Sequence, residues 1–129
     1  MATINTRLLV QSQNLFTNSF TLRSDKAVRL TGEVNKTIKT ITSTSSGAAT
    51  TILAVTDYGA DKDVYVFLKN RSTDSAKYIY VIVGSQQIMR LSPGQYCSFP
   101  WRTETGDDLK VYGNDSNGIR LELLAGTTS

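Results

Sequence analysis

The chain has 129 residues and a net charge of +3, with 40% apolar and 19% charged side chains. That allows one domain with a single core. Histidine is absent, which removes the commonest general base, the commonest transition-metal ligand and the Ser-His and Cys-His nucleophile pairs.

The N-terminal third is poor in apolar residues and rich in threonine. Leu8–Val10, Leu15–Leu22 and Ala27–Leu30 read as strands. The leading MATINTRLLVQSQ has too short an apolar segment, and no basic lead-in, for a signal peptide. In the following VNKTIKTI, Val34, Ile38 and Ile41 stand four and three apart, which is helical spacing. The β-branched Thr37, Thr40 and Thr42 oppose a helix, so the segment is expected to be extended. Residues 43–49, STSSGAA, read as a loop.

From Thr51 the strand pattern sharpens. Ile52–Val55 is a short strand and Asp57–Asp63 a loop. Val64–Lys69 and Lys77–Val83 are strands joined by Asn70–Ala76. Gly84-Ser85 turns into Gln87–Leu91, and Ser92-Pro93-Gly94-Gln95 has the composition of a type II turn. Tyr96–Phe99 follows, then a last hairpin of Asp108–Tyr112 and Ile119–Leu124. Ser and Thr fill roughly a quarter of the positions, well above the usual share, and suit strands and turns. The expected fold is all-β, an antiparallel β-sandwich or jelly roll of about eight to ten short strands. Residues 1–50 are expected as an N-terminal arm or peripheral strands, and 51–129 as the sandwich body.

Two of these strands are apolar on both sides. Val64, Val66 and Leu68 alternate with Tyr65 and Phe67; Tyr78, Tyr80 and Ile82 alternate with Ile79, Val81 and Val83. A sheet with one wet face shows polar residues at every second position. Both faces of these strands therefore need cover, which points to an assembling protein.

Charge is uneven. Residues 1–56 hold six basic and two acidic side chains, and residues 57–129 hold eight and nine. The basic residues are too dilute for a strong nucleic-acid footprint and suit an acidic protein surface. No run of about 18 apolar residues is present for a membrane span. The lone Cys97 has no internal disulfide partner; a packed thiol in a chain made in a reducing cytoplasm is expected.

Candidate chemistry is sparse. No phosphate-binding or dinucleotide glycine pattern occurs, and the sequence names no cofactor and no metal. The carboxylates Asp57, Asp61, Asp63, Glu104, Asp107, Asp108 and Asp115 lie in loops or at strand ends, where acids cap turns. Asp57 to Asp63 lacks EF-hand spacing and has Lys62 inside it. Tyr65, Phe67, Tyr78 and Tyr80, flanked by Lys69, Arg71 and Lys77, suit core, a subunit interface or a stacking platform for bases or sugars. In Phe99-Pro100-Trp101-Arg102 the proline is expected to end ladder pairing. Trp101 and Arg102 are types rich in interface energy; the alternative is Trp101 folded back over the core edge.

The segment VYVFLKNRS…KYIYVIVG…IMRLSPGQYCSFPW…LKVYGNDSNGIRLELLA resembles a β-rich domain of tailed-bacteriophage virion proteins, cyanophage ones among them. Its matching elements are Phe67–Asn70, Tyr78–Val83, Leu91–Gly94, Pro100-Trp101 and Ile119–Leu124. The resemblance implies a non-enzymatic virion structural protein of the head-decoration or cement type. Its partner would be the major capsid protein or another virion protein, and its own state a homo-oligomer, a trimer foremost. A tail or fibre glycan-binding module is the alternative, with a single-stranded nucleic-acid binder behind it. In the virion reading Tyr65, Phe67, Tyr78, Tyr80, Trp101 and Arg102 form the protein interface.

Overall fold

The computed structural model describes residues 2–12 and 20–128. They form β1 (Ala2–Ser12), β2 (Phe20–Ile41), β3 (Thr50–Leu53), β4 (Asp63–Asn70), β5 (Ile79–Val83), β6 (Gln86–Leu91), β7 (Tyr96–Arg102), β8 (Leu109–Gly113) and β9 (Ile119–Thr128). A 3-10 turn spans Ser46–Ala48 and one helical turn, α1, spans Val55–Tyr58. Of the expected strand Leu15–Leu22, residues 15–19 lie outside the described residues.

The strands pair antiparallel in two sheets, ordered β1-β2-β9-β4-β7 and β3-β8-β5-β6. Eight segments make the body, from the second half of β2 through β9. Counted along the chain, the first, eighth, third and sixth make one sheet; the second, seventh, fourth and fifth make the other. That order is the double Greek key of a jelly roll. Local pattern leaves sandwich and jelly roll open, because both use the same strands; cross-strand pairing decides.

Alternation places the core. Val64, Val66 and Leu68 of β4 turn inward with Leu121, Leu123 and Ala125 of β9, facing Ile79 and Val81 of β5 and Leu109 and Val111 of β8. Trp101 closes one end and Ile41 with Ile119 the other. The Ser92–Gln95 turn forms as its composition predicts: Gln95 N–H donates to the Ser92 carbonyl at 2.9 Å, and Gly94 takes the positive φ of 78° that such a turn demands.

Asn70, at the end of β4, is fully buried. Its Nδ2 donates to the carbonyls of Lys77 and Leu91, each at 3.0 Å, while its Oδ1 accepts the Ser72 N–H at 3.0 Å. One amide thus fixes the crossing from the first sheet to the second and the end of β6. A buried polar group persists where its hydrogen bonds are made, which is why asparagine stands at this strand end.

The N-terminal division differs from the expected one at residue 50. Residues 34–41 pair with β9 along their length and belong to the body, whereas residues 20–29 pair with β1 and Leu30 pairs with both Ala2 of β1 and Thr128 of β9. An irregularity between Leu30 and Val34 separates the halves. Residues 2–12 and 20–29 therefore form a hairpin arm. The near-helical spacing of Val34, Ile38 and Ile41 has a strand explanation. The first two share the outer face, and Ile41, at odd offset, turns into the core.

Candidate functional site

The six residues expected at an interface fall in four places. Tyr65 and Phe67 lie on the outer face of the first sheet, beside Leu124 of β9 and Tyr96 of the edge strand β7. Phe67 and Tyr96 stand 6.1 Å apart with ring planes tilted by 30°, and Tyr96 is 66% exposed. Tyr80 lies on the outer face of the second sheet, stacked on Tyr112 at 4.8 Å and 14°. Arg90 covers the neighbouring Tyr78 ring at 4.6 Å, and the Tyr112 hydroxyl donates to Gln87 Oε1 at 2.8 Å. Two aromatic faces thus sit on opposite sides of the sandwich, and no partner can use both at once with one flat surface.

Trp101 requires a correction. Its ring is 3% exposed and meets Tyr58 edge-on at 5.9 Å, and its indole N–H donates to the Asp107 carbonyl at 3.0 Å. Register explains this: Trp101 pairs with Val64, and paired residues share a face, here the inner one. Of the two expected placements, the fold over the core edge is the one present, so its ring offers nothing to a partner. Arg102, one residue on, is exposed among Asp63 at 3.2 Å, Asp61 at 3.7 Å and Glu104 at 3.8 Å.

Tyr96, Tyr112 and Arg90 belong to these faces and were not singled out from sequence. A signal existed in Leu109-Lys110-Val111-Tyr112, where Lys110 and Tyr112 alternate against two core residues. Ile88 is exposed because β6 carries an extra residue there: Val81 pairs with Met89 but Ile82 with Gln87.

The outer face of the first sheet is overhung by the hairpin. Ile4 and Thr6 of β1 are half-buried, and with Tyr65, Phe67, Tyr96 and Lys36 they line a groove of about 380 Å³. A second groove, of about 640 Å³, separates Lys26, Ala27 and Arg29 from Tyr65, Ser98 and Pro100. The hairpin's base is seated by a missing side chain: a Cβ on Gly126 would lie 2.8 Å from Leu30 Cδ1. Farther out cover ends. Leu8 and Leu9 are neighbours and so face opposite sides of the ribbon, yet they are 50% and 47% exposed.

Charge follows the same division. Arg7, Arg23, Lys26 and Arg29 stand on the hairpin against the single Asp25, and residues 31–129 hold ten basic and ten acidic side chains. The hairpin carries the whole +3. Only Arg7 and Arg23 have an ion-pair partner among its described residues, and both share Asp25. On the body, Glu122 is held between Lys36 and Arg71, each at 3.4 Å.

Cys97 turns inward toward the core beside Leu68. Burial pushes its thiol up to about 11, against a smaller opposing effect of the Leu68 backbone, so it stays protonated at neutral pH. Among the described residues no three acidic or thiol side chains gather to hold a metal ion, and no helix is long and apolar enough to cross a membrane.

The chain matches no family model, no curated protein and no solved structure at a significant level.

Proposed function

We propose that this protein is a non-enzymatic assembly subunit whose jelly-roll body displays a basic β-hairpin that docks on other protein surfaces. One observation carries the reading: the hairpin holds the full net charge of the chain and leaves leucines exposed on both of its faces. An isolated two-stranded ribbon is at best marginally stable in water. A long ribbon with half-exposed leucines gains order by laying that surface on something else. Its cationic side chains select an acidic partner and speed its encounter.

Within that reading, the virion role is the one the sequence resemblance favours: a head-decoration or cement protein, homo-oligomeric, bound to the major capsid protein. Jelly rolls serve viral capsid and lectin domains alike, so the fold itself does not choose between them. The glycan or single-strand reading gains little from the second sheet, where Tyr80 stacks on Tyr112 and Arg90 covers Tyr78. Rings engaged with one another have less free face for a sugar or base.

Co-sedimentation with shells of the cognate major capsid protein tests the proposal. Binding that weakens as salt rises, and is lost in Arg23→Glu/Lys26→Glu/Arg29→Glu, is expected. A protein that stays in the supernatant at micromolar concentration, or a triple variant that binds as well as the parent, overturns it.

A further inference from the structure

The sandwich breaks its own rule along one strand. Thr37 pairs with Leu123 and Lys39 with Leu121, and both leucines are core residues, so Thr37 and Lys39 stand on the core side of β2, Thr37 exposed and Lys39 half-buried at its open edge. Inward positions of a sandwich call for apolar side chains. A local rule broken inside an otherwise consistent fold marks a candidate functional position.

These residues line a cleft of about 520 Å³ between the two sheets. Its floor is apolar: Ile52 and Leu53 of β3, with Leu123 and Ala125 of β9, all buried. Its lips are charged and opposite. Lys39 stands on the β2 side, and Asp57 and Tyr58 on α1, which follows β3. Among the described residues neither Lys39 nor Asp57 has an oppositely charged partner within 4.0 Å. The cleft is thus of ligand-site size, with an apolar base and the polar side chains of Thr37, Lys39, Asp57, Tyr58 and Thr127 around it.

We infer that the inter-sheet cleft binds a small zwitterion with an apolar side chain, of the class of leucine or phenylalanine. The ligand's carboxylate faces Lys39 and its ammonium faces Asp57, while the side chain descends onto Leu53, Leu123 and Ala125. Each unpaired charge gains a charge-assisted partner, and the apolar floor is removed from water. This site is separate from the hairpin and independent of the assembly role. A lysine that merely laid its stem over an open edge would keep its head in bulk water, and the experiment separates the two cases.

The probes are L-leucine, its carboxylate-only analogue 4-methylpentanoate, and its ammonium-only analogue 3-methylbutylamine. They are titrated into the full chain while the methyl resonances of Leu123 and Ala125 are followed. Saturable shifts with leucine are expected, with each singly charged analogue at least tenfold weaker. Lys39→Met, which keeps the stem, and Asp57→Asn are each expected to weaken leucine at least tenfold. No saturable shift, shifts confined to other methyls, or equal affinity for all three probes overturns the inference. So does equal affinity in the parent and both variants. The analogue comparison on the parent chain stands even where a variant fails to fold.

Discussion

From residue 31 onward the chain balances ten basic against ten acidic side chains and closes a core with its own leucines, valines and isoleucines. The hairpin of β1 and the first half of β2 does the reverse, holding the net charge and leaving Leu8 and Leu9 half in water. Both regions are antiparallel strands, and the hairpin continues the first sheet of the body, so strand formation does not distinguish them. What differs is whether a second layer lies opposite. The body has two layers and is complete; the hairpin overhangs the first sheet near its base and is bare beyond. Stability therefore belongs to the body, and the uncovered apolar surface of Leu8 and Leu9 belongs to the hairpin.

Substitutions can break or sharpen that contrast. The largest effect is expected at Asn70, where Asn70→Ala strands the carbonyls of Lys77 and Leu91 without their donor. Unfolding in urea should show a loss of about 2–4 kcal/mol. A loss near zero would mean that the body does not depend on this crossing. Next comes Gly126→Val, which sets a side chain where Leu30 Cδ1 would lie 2.8 Å from its Cβ. Overpacking there should cost about 1–3 kcal/mol and speed amide exchange at the hairpin base; unchanged exchange would separate Leu30 from the hairpin's seating.

A smaller effect is expected from pH. Cys97 titrates higher in the fold than in the unfolded chain, so its contribution is fully present at neutral pH. It falls as pH rises from the ordinary thiol range near 8.5 toward about 11. Cys97→Ala should flatten that alkaline decline in urea midpoints relative to the parent, and an unaltered slope would place its cause elsewhere. Smallest on stability is Arg23→Glu/Lys26→Glu/Arg29→Glu, expected within about 0.5 kcal/mol of the parent because exposed charges contribute little. A large loss would mean that the hairpin is part of the cooperative body.

Much of the body was legible in the sequence. Val64, Val66 and Leu68, and Ile119, Leu121 and Leu123, repeat at the strand period, and their inward placement follows from alternation alone. The turn at Pro93-Gly94 was legible because its conformation requires glycine. Other features depend on pairing between distant segments. Trp101 reads as equally suited to core or surface until its register with Val64 fixes the face. Tyr65 and Tyr80 look alike in their strands, yet β4 and β5 enter different sheets, so their rings end up on opposite sides. The extended reading of 34–41 was sound, but its membership in the body rests on pairing with β9, nearly ninety positions away. Lys39 gave no local sign of facing inward, since Val34 and Ile38 beside it suggest the other face.

The most direct measurement is the solution mass by light scattering, across a range of concentrations, for the parent and for Leu8→Ser/Leu9→Ser. Those leucines belong neither to the core cluster nor to the lining of the two grooves beside the hairpin, so the unfolding midpoint should stay put. The account predicts a parent that forms multimers and a double variant that is monomeric yet equally stable. A parent that stays monomeric at every concentration, or a double variant whose mass matches the multimeric parent, would contradict it.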